Sequence, residues 1–236
     1  MNVMDASELY DPEFRKSRKG KKQTIIIPVG SLEQHGAHLP ITTDSDIVTE
    51  IASRLGKKCG FIVFPTISYG VSFEHDPLFN ISIQSTNLEG FLGDIIESLR
   101  ARYDVLILNG HHGNVESVNK FQNTMNREYV VYGSTVRCYS YWHFMKHEFD
   151  HAGFVETSLM LAISDKVKMK KAKKGLITKG MNEKEIQRIK KLSTQPGGFP
   201  QVTKNGVWGD PTKATKKDGE KFLAEIVRNL AKECQS

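Results

Sequence analysis

The chain is predicted to be α/β, a single-domain layered sandwich in which a mostly parallel central sheet is flanked by helices. Two observations predict it. Short apolar runs alternate with stretches of helical spacing through the first two thirds of the sequence. The runs themselves, such as VLIL at Val105 to Leu108, are continuously apolar, as strands covered on both faces are.

The elements follow in order. Thr24 to Val29 (TIIIPV) is β-branched and ends at Gly30, which predicts a buried strand. Asp44 or Ser45 caps a helix that presents Ile47, Val48, Ile51, Ala52 and Leu55 on one face and stops at Gly56. Residues 61–67 (FIVFPTI) read as a second strand, weakened at its end by Pro65. The stretch Ser68 to Asn80 is a loop rich in Gly, His and Pro. Asn87 to Arg102 forms a helix with an apolar stripe from Leu88 to Leu99. Val105 to Leu108 is the third strand, Asn109 to Asn114 (NGHHGN) a turn, and Val115 to Arg127 a helix. Residues 130–141 make a fourth strand region and 155–163 (VETSLMLAI) a helix. Gly197 to Thr215 reads as a long loop, and Asp218 to Ala231 as a closing amphipathic helix.

A length of 236 residues suits one large α/β domain, and no linker-like stretch divides it. We expect a basic N-terminal arm over residues 1–23 and a single domain over 24–236. Hydrophobic content of 39% and charged content of 25% are those of an ordinary globular protein. The net charge of +6 favours acidic or phosphorylated partners. Two lysine-rich runs, Arg15 to Lys22 and Lys166 to Lys174, carry much of it and read as exposed. They lack the interleaved aromatics of a single-strand binding platform, so nucleic acid is not the expected partner. Three widely spaced cysteines argue against a disulfide framework and for a reducing, cytoplasmic setting. No apolar stretch approaches the roughly 20 residues that span a bilayer.

The chemistry sits where an α/β sheet places its ligands, beyond the carboxyl ends of the strands. Gly30 to Asp46 (GSLEQHGAHLPITTDSD) packs Glu33, His35, His38, Asp44 and Asp46 into one short loop after the first strand. Glu33 and His35 are two apart and face the same way on an extended segment. Carboxylates with imidazole suit zinc, manganese or iron. A carboxylate at Asp44 can bridge two cations. His111 and His112 follow the third strand, and one of them is expected to complete the site. Asn114 is a candidate cap of the next helix. His151 and Glu156 flank Gly153; by themselves they also fit a core histidine and a carboxylate at a helix start.

These segments resemble the creatininase family. GSLEQHGAHLP followed by TTD is a long, specific match, and NGHHGN, HAGFVETS and GVWGDPTKAT are similar in the same order, over residues 24 to 220. The resemblance implies a homo-oligomeric α/β hydrolase with two divalent metal ions (Zn, Fe or Mn) that cleaves amide-like C–N bonds. Carried over by position, Glu33, Asp44 and His111 hold one metal. His35, Asp44 and Glu156 hold the other, with Asp44 bridging, and His151 matches a histidine implicated in proton transfer. Creatinine hydrolysers of the family carry Tyr and Glu after the histidine matched by His111, and a Trp where His147 stands. Here the first two places hold His112 and Gly113, which counts against creatinine.

Within the family the short chain resembles the archaeal formylaminopyrimidine nucleotide deformylase branch, and a basic surface suits a phosphate, so the resemblance implies a small amide or formamide substrate, possibly phosphorylated: a formylamino-pyrimidine ribosyl phosphate, deformylated as in riboflavin or deazaflavin biosynthesis. Lys213 and the Asn114 turn are candidate phosphate contacts. The alternatives are creatinine hydrolysis and trimming of a redox-cofactor precursor peptide. A non-catalytic nucleotide- or nucleic-acid-binding relative is the alternative from another class, and the intact acidic and histidine cluster argues against it.

Overall fold

A computed structural model describes residues 4–16, 23–99, 102–129, 134–148 and 150–235. Five parallel strands form its sheet, β1 (Met4–Asp5), β2 (Thr24–Val29), β3 (Ile62–Val63), β4 (Asp104–Asn109) and β5 (Val136–Ser140), in the order β1-β3-β2-β4-β5. Between and after them lie α1 (Asp11–Lys16), α2 (Thr43–Cys59), α3 (Ser85–Leu99), α4 (Val115–Tyr129), α5 (Phe154–Ile163), α6 (Glu183–Ser193), α7 (Gly198–Thr203) and α8 (Lys216–Gln235).

The period-2 geometry of β2 divides the core. Ile25, Ile27 and Val29 face one layer, with Leu88, Leu92 and Ile96 of α3 and Val118 and Phe121 of α4. Ile26 faces the other, with Ile47, Val48, Ile51 and Leu55 of α2, Leu159 of α5 and Leu223, Ile226 and Leu230 of α8. Both faces of the central strands are covered, which is why these runs are apolar throughout. Beta2 and β4 are neighbours, and the chain leaves the carboxyl end of β2 toward α2 on one face and that of β4 toward α4 on the other. That is a topological switch point, and a crevice opens there.

Several boundaries differ from the sequence reading. Helix α2 runs through Gly56 and ends at Gly60, whose φ of 73° is the left-handed close. Neither Asp44 nor Ser45 caps it. Thr42 is the N-cap residue, and Asp44 lies inside the first turn. Of residues 61–67 only Ile62–Val63 are strand, and Ile67 returns as a single bridge to Val29. The fourth strand is shorter than expected, and residues 130–133 lie outside the described ones. The region read as a 197–215 loop holds α7. Helix α6 was not anticipated at all, because only Ile186, Ile189 and Leu192 mark its apolar side. It is fixed locally by a capping box in which Asn182 accepts from the Glu185 N–H while the Glu185 side chain accepts from the Asn182 N–H.

Within the stretch expected to be a basic arm, Met4–Asp5 pair with Ile62–Val63, and the Phe14 ring lies 5.5 Å from that of Tyr103. Residues 17–22 of the first basic run lie outside the described residues. The lysines of the second run, from Lys166 to Lys174, are exposed. Cys59, Cys138 and Cys234 are free. Among the described residues no helix is long and apolar enough to cross a membrane.

Helices α5 and α8 pack with no spare room at Gly219. A Cβ there would lie 1.9 Å from the Ser158 carbonyl oxygen. Gly219→Ala is therefore expected to destabilise the fold by about 1–3 kcal/mol, despite the helix propensity alanine adds. Thermal melting would show it as a lower Tm; an unchanged Tm would mean the two helices can separate freely.

Candidate metal centre

Four segments converge at the crevice. The loop after β2 brings Glu33 and His35, and the first turn of α2 brings Asp44. The turn after β4 brings His111, and the first turn of α5 brings Glu156. All five are at most 3% exposed. Two glycines make the approach possible. Gly36 takes a φ of 62°, and a Cβ at Gly110 would sit 2.8 Å from the Asp44 carbonyl oxygen.

Asp44 stands at the centre. Its Oδ1 lies 3.1 Å from His35 Nε2 and its Oδ2 lies 2.9 Å from His111 Nδ1. His35 Nε2 is also 3.6 Å from Glu156 Oε2, and His111 Nε2 is 3.2 Å from Glu33 Oε2. Two overlapping groups result, Glu33–Asp44–His111 and His35–Asp44–Glu156. Within each, the ligand atoms lie within 4.8 Å of one another, and each can hold a metal ion. The structure thus brings together all five residues singled out as ligands, and a third group that can hold a metal, Glu33–His35–His151, overlaps both.

The rings are braced from behind. His35 Nδ1 lies 3.2 Å from the Glu33 carbonyl oxygen and His111 Nε2 lies 2.8 Å from that of Val71. An imidazole that donates one N–H to a carbonyl offers its other nitrogen to a cation. Three buried carboxylate oxygens, Glu33 Oε1, Asp44 Oδ2 and Glu156 Oε1, accept no well-aligned hydrogen bond. Buried oxygens are rarely left so, and a bound cation explains them. The potential agrees. Burial works against charge on His35, but Asp44 and Glu156 beside it prevail and push its pKa up to about 10. Asp44 is held well below the usual carboxylate range: burial opposes the shift, and His35 and His111 outweigh it. Glu156 moves the other way, raised by burial next to Asp44 and Asp150. A cluster that stabilises positive charge this strongly fits a divalent cation.

His151 stands at the rim, its ring centroid 4.3 Å from that of His35. Burial, then the neighbouring His35 and His75, hold its pKa well below the ordinary value, which favours the neutral ring. His38, from the same motif, is turned away: its Nε2 lies 2.9 Å from Thr157 Oγ1. Asn114 does not cap α4. Its amide donates to the Gly30 carbonyl and its oxygen accepts from the Val71 N–H, so it ties three loops together. Lys213 lies in a 3-10 turn away from the cavity wall.

Sequence reasoning missed several residues. His75 Nε2 lies 3.0 Å from Glu33 Oε1, and Gln34 Nε2 lies 2.9 Å from His75 Nδ1. Asp150 accepts from the Val155 and Glu156 N–H groups and so anchors the helix start that carries Glu156. Glu74 Oε1 lies 3.6 Å from His111 Nε2, in the space a side chain at Gly113 would need. The only sequence signal was a histidine in the 68–80 loop. Above the cluster opens a cavity of about 340 Å³, walled by Trp142, Phe199, Trp208 and residues of α6.

A parallel α/β sandwich with paired carboxylate–histidine groups at its switch point defines a metal-binding hydrolase architecture. The creatininase (creatinine amidohydrolase) family model matches residues 7–234, and the chain belongs to that family, a family of hydrolases acting on amide C–N bonds. It is 33% identical over 217 residues to a mycofactocin precursor peptide peptidase of Mycobacterium ulcerans (strain Agy99), covering 86% of this chain and 81% of the relative. It is 29% identical over 157 residues to the 2-amino-5-formylamino-6-ribosylaminopyrimidin-4(3H)-one 5'-monophosphate deformylase of Methanothermobacter marburgensis, covering 59% of this chain and 60% of the relative. A crystal structure of creatinine amidohydrolase superposes with a TM-score of 0.81 at 24% identity, over 99% of this chain and 97% of that one. Other solved creatininases are described as a Zn-Zn type and a Mn form.

Proposed function

We propose that the chain is a dinuclear metal-dependent amidohydrolase, working as a homo-oligomer in the cytoplasm. The single observation that supports this best is the position of Asp44, one oxygen toward each of two buried ligand groups. Glu33, Asp44 and His111 would hold one divalent ion, and His35, Asp44 and Glu156 the other. When bound, the ions supply the Lewis acidity that makes water nucleophilic near neutral pH and polarises the amide carbonyl.

The chain's own residues do the rest. Trp142, Phe199 and Trp208 line the cavity and limit the water that reaches the reacting carbonyl. Gln34 holds the His151 ring, its Nε2 lying 3.1 Å from His151 Nε2. His151, neutral and at the rim, takes up a proton and returns it to the departing nitrogen. Water is added across the C–N bond, leaving a carboxylate and an amine.

For the acyl group, deformylation of a formylamino-pyrimidine ribosyl phosphate is one proposal. A peptide amide is a second, favoured by the length over which the peptidase relatives match. The test pairs metal analysis with a substrate panel. We expect two ions per chain, activity abolished by a chelator, and recovery with Zn²⁺ or Mn²⁺. Formate release from the formylaminopyrimidine nucleotide supports the first substrate, and cleavage of a short peptide the second. Full turnover by verified metal-free protein would sink the proposal.

A further inference from the structure

We infer that the cavity takes a substrate with an anionic group, a phosphate or a carboxylate, which binds Lys190 of α6 across from the metal cluster. This rests on the amidohydrolase reading above and names the chemical class of its substrate.

Charge on the cavity wall carries the argument. Lys190 is the one lysine or arginine among the described lining residues. Every carboxylate on that wall is engaged elsewhere. Asp44 and Glu156 face His35. Asp150 accepts from the backbone at the start of α5. Glu74 lies beside His111 and 4.0 Å from His75 Nε2. No ion pair joins any of them to Lys190 among the described residues, and Lys190, exposed on this wall, is left to meet an anion entering the cavity.

The surroundings strengthen an anion's hold. His112, exposed on the same wall, stacks on Trp142 with ring centroids 6.0 Å apart. With Trp142, Phe199 and Trp208 the wall is largely apolar, and a charge-assisted hydrogen bond is stronger there than in open water. The ligand cluster, once it holds its metals, would fix the scissile amide, and Lys190 selects what lies at the other end of the molecule. Of the places expected from sequence to bind phosphate, Lys213 does not reach this wall, while the Asn114 turn meets it through His111 and His112. Phosphate and peptide carboxylate share this chemistry, so both proposed substrates fit it.

The test is calorimetric binding to the zinc-loaded chain of phenyl phosphate, benzoate and neutral benzyl alcohol. The wild type is expected to bind at least one anion, and to bind it more tightly than the alcohol. Lys190→Gln is expected to weaken that binding about tenfold, Lys190→Arg to keep it, and Lys191→Gln, one residue along the same helix, to leave it unchanged. Phenyl phosphate favoured over benzoate assigns a phosphorylated substrate; the reverse assigns a carboxylate. Anion binding that survives Lys190→Gln, as it would if the anions simply sat on the metals, overturns the inference, and so does equal affinity for alcohol and anions. Zinc content of the same samples tests the amidohydrolase reading separately: a chain without zinc refutes that reading, while the Lys190 comparison still reads out.

Discussion

Asp44→Asn is expected to cost the enzyme both metal ions at micromolar supply and to lower kcat/KM by about 10³-fold or more, roughly 4 kcal/mol of transition-state stabilisation. The reason is geometric. Asp44 Oδ1 faces His35 and Oδ2 faces His111. Replacing one oxygen by an amide nitrogen takes a negative charge from both ligand groups. Asparagine keeps the volume, so the circular dichroism spectrum should stay that of the wild type. Glu33→Gln and Glu156→Gln make the informative contrast, because each belongs to one of the two Asp44-sharing groups. Each is expected to weaken one ion while the other remains. Metal analysis after dialysis separates these cases. An Asp44→Asn chain that retains two ions and wild-type turnover would refute the shared-ligand arrangement.

His151→Gln is the second large effect. A positioned general acid or base contributes about 10²–10⁴-fold, so kcat should fall by that factor. KM and metal content should change little, because the ring stands at the rim and both Asp44-sharing groups are complete without it. His151 also forms a compact group with Glu33 and His35 that can hold a metal. If it ligates in the working enzyme, the substitution will lower metal content together with kcat. Measuring both therefore decides between proton carrier and ligand. Burial and the adjacent histidines favour the neutral ring, the form that either role requires, so metal content and kcat together carry the decision.

Much of the core was legible because it depends on local rules. The apolar run 24–29 and the stripe Ile47, Val48, Ile51 and Leu55 specify a covered strand and a helix by periodicity, and both occur. Boundaries were less legible. Gly56 has the residue type of a helix stop, yet the helix continues because tertiary packing lets it pass close to Val63. Only Gly60 adopts the left-handed backbone that ends it. Helix α6 escaped notice because three apolar residues in eleven give a weak stripe, and its placement over the cavity comes from packing against α7.

By itself the sequence determined that this chain folds as a parallel α/β sandwich of the creatininase family, and it marked Glu33, His35, Asp44, His111 and Glu156 as a set. Glu33, His35, Asp44 and His111 are legible because they lie in short motifs that follow strands, where a loop of fixed shape must hold chemically distinctive side chains, and Glu156, in the first turn of α5, was added by the resemblance. The family resemblance already implied how the set divides around Asp44; only the tertiary structure decided the distances within it. It alone brought in His75, Glu74, Gln34 and Asp150 as supports, and it set Lys190 on the cavity wall in place of Lys213. The physical reason is distance along the chain. A contact such as His75 to Glu33, 42 residues apart in sequence and 3.0 Å apart in space, leaves no periodicity or spacing in the sequence. It exists only once the sheet has closed and the loops meet above its carboxyl edge.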